Sequence, residues 1–334
     1  MGYQKKIINA IGMMYQDTKA KVLSPDGETS FFDVKAGVLQ GDTLAPLLFL
    51  IVVDYIMRQT LKDMEHLGLT LNKTTRRNQY LEGNIITDLD YADDLALFSD
   101  TSNDAQTFLS RLENSAAPLG LFVNDIKTEV MPINTTAALQ TVAGKPLKVV
   151  EDFKYLGAWA DTTARDVEIR KALAWVAIAK MDKIWKSSMK RNIKIQFFRA
   201  TVEMVLLYGA EAWTLTNTLE KRLDGCYTRL LRYALNIKWP KKIRNKELYA
   251  GLQPISEVIK SRRLVFAGHC HRAKQECIHD VLFWDPRHGK RGRGRPHTTY
   301  IDRIMEDTGM RTVAEIKKSM EDRKLWRVLS YENR

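Results

Sequence analysis

The sequence of 334 residues predicts an α+β protein, in which short strands and helices come first and helices alone follow from about residue 161. Apolar and polar residues alternate on both sides of a turn within residues 85–98, a pattern typical of a β-hairpin. From Asp166 onward, apolar residues instead recur at helical spacing in three stripes. The length allows two or three domains, which we place at residues 1–160, 161–240 and 241–334.

The charge is divided unequally along the chain. Residues 1–160 hold 15 Lys and Arg against 20 Asp and Glu, a balance of −5, whereas residues 161–334 hold 37 against 20, a balance of +17. The basic residues recur among aromatics and glycines, which favours a nucleic-acid partner over a merely solvated surface. The second part is therefore predicted to hold a polyanion, although a solvated Lys and Arg surface is the alternative.

The first elements follow from local pattern. Apolar residues at helical spacing predict a helix within residues 1–21, and a turn at residues 24–27 predicts a strand pair at 20–22 and 29–34. The apolar run at residues 44–57 contains Asp54 and is too short to cross a bilayer, so we interpret it as a buried helix. Pro46 suits the first turn of that helix. A further helix is predicted over residues 101–119.

The hairpin at residues 85–98 places Asp93 and Asp94 side by side at its turn. Adjacent carboxylates repel, and a hard divalent cation with oxygen ligands relieves that repulsion. The alternative is an ordinary polar turn, because Asp is favoured in turns for its own side-chain hydrogen bonding.

Four blocks of sequence occur in a fixed order. They read G-V-L-Q-G-D-T-L-A-P-L-L-F at residues 37–49, Y-A-D-D at 91–94, G-L-F-V-N at 120–124 with Lys127 and Thr128, and F-K-Y-L-G at 153–157. Together they resemble motifs B, C, D and E of the reverse transcriptases of non-LTR (LINE-like) retrotransposons. The resemblance implies a polymerase palm, an antiparallel sheet with packed helices, over residues 1–160. It also implies an α-helical thumb at 161–240 and a basic nucleic-acid-binding region at 241–334.

The resemblance also implies roles for single residues in an RNA-directed DNA polymerase that uses two Mg²⁺ ions. Asp93 and Asp94 would be catalytic and bind metal, and Lys127 would protonate or neutralise the departing pyrophosphate. Gln40 and Gly41 would lie beside the incoming nucleotide and the templating base. The alternatives are a plain helix start for Gly41 and a surface lysine for Lys127. The primer grip would consist of Phe153, Tyr155, Leu156 and Gly157. The alternative is that these residues form an ordinary aromatic-rich strand.

The same resemblance implies the partners: an RNA template, a DNA primer or target, and deoxynucleoside triphosphates, in the nucleus or cytoplasm with the nucleus favoured. Basic residues at one helix junction form a candidate phosphate track, and the family has similar R-R-L and G-H-x-x-R blocks downstream. Residues 293–296, R-G-R-P, resemble an AT-hook, with a basic linker or a nuclear-import signal as alternatives. The residues predicted to bind nucleic acid are Lys186, Lys190, Arg191, Arg262, Arg263, Arg272, Arg291, Arg293 and Arg295.

Cysteine is sparse, with three residues in the chain, which indicates an intracellular protein without a disulfide framework. Cys270, Cys277 and His279 are possible zinc ligands, but their spacing is not that of a zinc finger or knuckle. The alternative, a helix with a buried cysteine, is the one we favour.

Two-metal polymerisation requires carboxylates from two places in the chain. In the family the second place is motif A, an F-x-D-type strand before motif B. Asp33 is the nearest candidate, but it lies too close to motif B and on what we interpret as the outer strand pair, so we find no such strand in this sequence. We therefore expect the chain to begin just after motif A and to be inactive alone. Two alternatives stay open: a non-catalytic nucleic-acid-binding protein derived from a retroelement, and a degenerate fragment that does not fold stably.

Overall fold

The structure is a computed structural model that describes residues 4–34, 36–39, 41–71, 73–74, 80–81, 85–159, 162–238, 240–274, 277–284 and 298–331. Gln40, Arg291, Arg293 and Arg295 lie outside the described residues, so their predicted roles stay predictions. Helices and small, mostly antiparallel sheets share the chain, as the α+β prediction requires. In the described part of the chain, no helix has the length and apolarity needed to span a membrane.

The strands pair two by two. The antiparallel pairs of consecutive strands are β2–β3, β6–β7, β9–β10 and β13–β14. The antiparallel pairs β1–β4 and β5–β8 close longer loops, and the consecutive strands β11 and β12 are parallel. The bounds are β1 Lys19–Ala20, β2 Leu23–Ser24, β3 Gly27–Glu28, β4 Phe32–Asp33, β5 Leu69–Thr70, β6 Lys73–Thr74, β7 Tyr80–Leu81, β8 Ile85–Ile86, β9 Asp88–Tyr91, β10 Asp94–Leu97, β11 Glu129–Val130, β12 Lys148–Val149, β13 Lys154–Tyr155 and β14 Ala158–Trp159.

Three helices accompany these strands: α1 Lys5–Tyr15, α2 Ala45–Leu61 and α3 Ser102–Ala116. Short 3₁₀ turns cover Glu65–Leu67 and Ala117–Leu119. The predicted N-terminal helix, the strand pair and the helix after residue 101 are confirmed. The apolar run at residues 44–57 forms a helix as predicted, but the prediction that this helix is buried is wrong for one of its faces. Val53, Ile56 and Met57 are buried, but Leu47 and Tyr55 are 54% and 53% exposed, because α2 packs on α3 along one side only.

The core of this first part lies where α2 and α3 meet the inner face of the β9–β10 hairpin. Leu95 and Leu97 of the hairpin pack beside the buried residues of both helices. A smaller cluster holds α3 against the loop before β12, through Leu109, Leu139 and Leu147. The hairpin that carries Asp93 and Asp94 is therefore fixed to two helices by its inward apolar side chains.

The second part of the chain is helical, as the three apolar stripes predicted. It comprises α4 Thr163–Lys180, α5 Asp182–Lys186, α6 Arg191–Phe198, α7 Met204–Leu206, α8 Asn217–Ala234 and α9 Asn245–Tyr249, with a π-helical turn at Arg199–Glu203 and a 3₁₀ turn at Ala210–Ala212. One continuous core joins Val167 on α4, Leu206 on α7, Leu230 on α8 and Leu248 on α9. Within the predicted stripe, Leu173 and Val176 are exposed.

The last helices surround a single long one. Helix α10 Ile255–Arg272 contributes Ile259 to the preceding core and Leu264 to a separate core, so it belongs to both. The separate core gathers Ile304, Ile316 and Trp326. The helices that supply it are α11 Cys277–Leu282, α12 Tyr300–Thr308, α13 Val313–Glu321 and α14 Arg323–Tyr331. The domain boundaries drawn at residues 160 and 240 stay predictions.

Candidate active site and nucleic-acid interface

The hairpin predicted around Asp93 is present. Strands β9 and β10 pair in antiparallel register, Tyr91 opposite Asp94 and Asp90 opposite Leu95, so the turn consists of Ala92 and Asp93. The turn thus comes one residue earlier than predicted, and Asp94 opens β10. Ala92 has φ of 57°, a left-handed conformation that is unfavourable for a residue with a Cβ. Both carboxylates at this tip are exposed to solvent.

The inner face of the hairpin carries a second acidic group. Directly opposed residues share a face of an antiparallel pair, so Asp88 and Asp90 face the helices together with Leu97 and Leu95. Burial, the charge of Asp88 and a hydrogen bond with Asp88 raise the pKa of Asp90 to about 7, with a further contribution from Asp54 on α2. Asp90 therefore keeps its proton to a higher pH than an ordinary aspartate. The sequence analysis missed it, although the D-L-D alternation was its signal.

The predicted primer-grip residues form a second hairpin, β13–β14, with Lys154 opposite Trp159 and Tyr155 opposite Ala158. Leu156 and Gly157 make its two-residue turn, with φ of 47° and 82°. Two positive φ values are typical of the type I′ turn that suits the twist of a tight hairpin. The rings of Phe153 and Tyr155 stack, with centroids 6.3 Å apart.

The two hairpins touch. The hydroxyl of Tyr155 donates a hydrogen bond to the carbonyl oxygen of Leu89 on β9, 2.8 Å away, and lies 3.4 Å from the carbonyl oxygen of Asp94. Burial and the charges of Asp90 and Asp94 raise the pKa of Tyr155, so the hydroxyl stays protonated and remains a donor. Two blocks that lie some sixty residues apart in the sequence are thereby joined.

The turn before α2 is held by Asp42. Its carboxylate accepts a hydrogen bond from the Tyr15 hydroxyl at 2.6 Å and another from the backbone N–H of Leu44 at 3.1 Å. These two bonds, that from Tyr15 first, lower the pKa of Asp42. Gly41 has φ of 95°, and a Cβ there would meet no atom within 4 Å, so glycine is required for conformation. The helix begins at Ala45, with Pro46 in its first turn as predicted.

Lys127 is exposed in the turn after Asn124. The side-chain oxygen of Asn124 accepts hydrogen bonds from the backbone N–H groups of Ile126 and Lys127, at 3.1 and 3.2 Å. These bonds fix the backbone of the turn rather than the ammonium group. The proposed proton transfer by Lys127 stays a prediction.

The basic residues at the helix junction differ in their surroundings. Lys186 forms an ion pair with Asp182 one turn earlier on α5. Arg191 donates to the backbone oxygen of Leu248 at 2.7 Å, so its guanidinium holds α9 against α6. Lys190 is exposed and forms no ion pair with another residue of the described ranges. Lys190 is thus the member of this set best placed to meet a phosphate.

The arginines of the R-R-L and G-H-x-x-R blocks point into the protein. Arg263 is 1% exposed, and its guanidinium pairs with Asp307 at 2.7 Å and donates to the carbonyl oxygen of Trp213 at 3.1 Å. Arg272 donates to the carbonyl oxygen of Met320 at 2.9 Å, and Arg262 to that of Leu207 at 3.3 Å. These contacts bind α10 to α12, α13 and the residues after α7, which is a structural use of guanidinium groups.

The cysteine and histidine residues are spread over several environments. Cys226 and Cys270 are buried and Cys277 is exposed. The rings of His271 and His279 stack with centroids 5.2 Å apart, and His271 is 4% exposed. Among the described residues, no three His, Cys, Asp or Glu side chains lie close enough together to hold a metal ion.

Comparison with known proteins finds similarity to reverse transcriptases and to transposon-derived proteins. Residues 4–160 match the family described as reverse transcriptase (RNA-dependent DNA polymerase). Over 267 residues the chain is 26% identical to an uncharacterized transposon-derived protein of Caenorhabditis elegans, covering 74% of this chain and 95% of that protein. Over 217 residues it is 25% identical to the retrovirus-related Pol polyprotein of the type-1 retrotransposable element R2 of Popillia japonica. That match covers 61% of this chain and 33% of the polyprotein.

A further match, 27% identity over 113 residues to porphobilinogen deaminase of Clostridium botulinum, covers 34% of this chain and 39% of that enzyme. The two longer matches and the family match agree with each other and with the four ordered blocks. The chain is thus similar to the reverse transcriptases of non-LTR retrotransposons, as the resemblance of those blocks predicted.

Proposed function

We propose that this chain supplies the greater part of an RNA-directed DNA polymerase, with Asp93 and Asp94 at the reaction centre and the β13–β14 hairpin as the primer grip. In this proposal residues 1–160 act as the palm and α4 to α8 as the thumb. The observation that carries it is the hydrogen bond from Tyr155 to the carbonyl oxygen of Leu89, which sets the grip hairpin against the strand that leads to Asp93.

The exposed carboxylates at the hairpin tip suit magnesium. Asp93 and Asp94 offer hard oxygen ligands on a rigid ribbon, which is the donor type that Mg²⁺ prefers. Metal ions held by Asp93 and Asp94 would supply positive charge for activating the primer hydroxyl and for stabilising the leaving phosphates. The residues of this chain bind and orient: the Asp93 turn presents ligands, the Tyr155 hairpin braces the primer end, and Gly41 leaves room for the nucleotide.

The basic second part would hold the template–primer duplex. Its balance of +17 suits phosphate contacts, and Lys190 is an exposed ammonium beside the helical junction. The buried Arg263 and the partly exposed Arg272 do not belong to this surface in our proposal, because backbone carbonyls and Asp307 already engage their guanidinium groups.

We further propose that the 334 residues alone do not complete the two-metal site. Polymerisation requires carboxylates from two places, and Asp33, the nearest candidate for the second place, lies on β4, which pairs with β1 and not with the β9–β10 hairpin. The rival function is binding of nucleic acid without synthesis, which the +17 balance of residues 161–334 favours.

Primer extension tests the proposal with the full chain, an RNA template, a DNA primer, nucleotides and Mg²⁺. We expect tight binding of the template–primer without extension by the isolated chain. Extension that Asp93→Ala abolishes and Asp26→Ala preserves would refute the inactivity and support the polymerase. Asp26 is a matched control because it is an exposed aspartate in a turn, at the β2–β3 hairpin.

Metal binding provides a readout independent of synthesis. Mn²⁺ in place of Mg²⁺ should broaden NMR signals of residues 91–95, and Asp93→Ala should weaken that broadening several-fold while Asp26→Ala does not. Broadening that is spread evenly over exposed acids in the wild-type chain would contradict a site at the hairpin tip.

A further inference from the structure

We infer that Tyr208 and Arg170, on the helical side of the β13–β14 hairpin, are positioning residues that clamp the turn of the primer grip. The inference rests on the proposed function for its role in the reaction, but the clamp itself is a set of contacts in the structure. It deepens that function because it names the residues through which the helices fix the place of the grip.

Both carbonyl groups of the grip turn are engaged from the same side. The Tyr208 hydroxyl donates to the carbonyl oxygen of Leu156 at 2.6 Å, and the Arg170 guanidinium donates to that of Gly157. The Arg170 guanidinium also lies over the Tyr208 ring, 4.3 Å from its centroid. The two clamping side chains therefore support each other while each takes one carbonyl.

The turn is of a kind that needs such support. Leu156 has φ of 47°, which is unfavourable for a side chain with a Cβ, and tight hairpins of this type prefer Asn or Gly there. Gly157 at φ of 82° fits without strain. Since Leu156 weakens the turn on its own, hydrogen bonds to both turn carbonyls bias it toward the observed geometry.

The Arg170 side chain is held in position by Asp166 on the same helix. It is 8% exposed, and its Nε lies 3.7 Å from Oδ1 of Asp166, one turn earlier on α4. Oδ2 of Asp166 accepts a hydrogen bond from Trp213 Nε1 at 2.8 Å. The indole thus orients the carboxylate, and the carboxylate balances the charge of the guanidinium that reaches the turn.

The contacts continue to the hairpin that carries Asp93. Tyr155, immediately before the turn, bonds to Leu89 on β9. An unbroken series therefore runs from α4, through Arg170 and the Leu156 turn, to Tyr155 and the catalytic hairpin. If the clamp loosens, both the grip and the strand before Asp93 should become more mobile.

Tyr208→Phe tests this with little risk to folding, because the ring is 49% exposed and only the hydroxyl is removed. Tyr233→Phe is the matched control: Tyr233 is 40% exposed and its hydroxyl bonds to Asp182 at 2.8 Å, away from the grip. In the full chain we expect Tyr208→Phe to speed amide hydrogen exchange several-fold in residues 154–159 and 88–97. Tyr233→Phe should leave both segments unchanged.

A third variant shows whether the effect travels through the grip. With Tyr155→Phe already present, Tyr208→Phe should still speed exchange in residues 154–159 but no longer in 88–97. Unchanged exchange in residues 154–159 after Tyr208→Phe, or an equal change after Tyr233→Phe, would overturn the clamp.

Binding separates the clamp from the proposed function. The wild-type chain should prefer an RNA–DNA duplex with a recessed DNA 3′ end over a blunt duplex of the same length, and Tyr208→Phe should reduce that preference several-fold without changing affinity for the blunt duplex. Equal wild-type binding to both duplexes would refute the grip function while the exchange result still decides the clamp. A preference that Tyr208→Phe leaves intact would refute the clamp's role in primer placement.

Discussion

Gly268 of α10 lies against the indole of Trp326 of α14 so closely that a Cβ on the glycine would overlap Nε1 and Cδ1 of the ring. The indole Nε1 donates to the carbonyl oxygen of Leu264, 2.7 Å away and one turn earlier on α10. Gly268, the glycine of the G-H-x-x-R block, thus allows α14 to pack closely against α10. The block therefore contributes to the packing of these two helices.

Gly268→Ala should therefore destabilise the chain, even though alanine favours helices. Overlap of this kind forces the indole from its place and costs about 1–3 kcal/mol of unfolding free energy. Gly225→Ala is the matched control, because Gly225 lies within α8 and a Cβ there meets no atom within 4 Å. It should instead stabilise by about 0.5–1 kcal/mol. Chemical denaturation measures both, and equal effects at the two positions would contradict the packing.

Arg263→Met should destabilise the chain through the acid it leaves behind. The side chain of Asp307 is 6% exposed, so removing Arg263 leaves a buried carboxylate without its ion-pair partner. This loss should lower the unfolding free energy by about 3–5 kcal/mol. Adding Asp307→Leu to Arg263→Met should recover part of that loss, since no charge is then left unpaired. Denaturation midpoints measure the series.

Lys190→Met provides the contrast, because Lys190 is exposed. It should leave stability unchanged while it reduces the salt dependence of nucleic-acid binding by about one phosphate contact. If Lys190→Met destabilised the chain and Arg263→Met did not, the division into surface and structural cations would be wrong.

Asp90→Asn should change how stability depends on pH. The pKa of Asp90 is raised to about 7 in the folded chain, so the folded state binds a proton that the unfolded chain releases near pH 4. Unfolding free energy should thus fall as pH rises from about 4 to 7, and Asp90→Asn should remove that part of the slope. Because Asp90 keeps contact with solvent, the effect should be of order 1 kcal/mol. Thermal unfolding from pH 4 to 8 measures it, and an unchanged slope would contradict the shift.

The contribution of His271 to the pH dependence of stability should have the opposite sign to that of Asp90, and His271→Phe should remove it. Burial and the neighbouring His279 lower the pKa of His271, and its ring nitrogens have no hydrogen-bond partner among the described residues. Protonation therefore favours the unfolded chain, and stability should be lost as pH falls below about 6.5. Glu321 opposes this shift, whereas Lys317 and Lys274 reinforce it.

The phenylalanine variant should remove this part of the acid destabilisation as pH falls below about 6.5. His269→Phe is the control, because His269 is exposed on the same helix. The same pH profile for His271→Phe and the wild type would show that this imidazole does not titrate on unfolding.

Some elements could be predicted because their signals are local. The hairpin at residues 88–97 follows from alternation, and α4 and α8 from helical spacing, since each period is set by backbone geometry alone. The exposed face of α2 could not be predicted. Whether an apolar helix is covered on one side or both depends on which elements pack beside it, and α3 covers one.

The sequence by itself determined the similarity to reverse transcriptases, the order of the four blocks and the two carboxylates near a turn, because those are properties of neighbouring residues. Only the tertiary structure decided which cations face inward and which residues hold the turn of the β13–β14 hairpin. Arg263 pairs with Asp307, 44 residues away in the sequence, and Tyr208 donates to the carbonyl oxygen of Leu156, 52 residues away. Hydrogen-bonding partners so distant in sequence leave no local pattern, because the fold alone brings them within bonding distance.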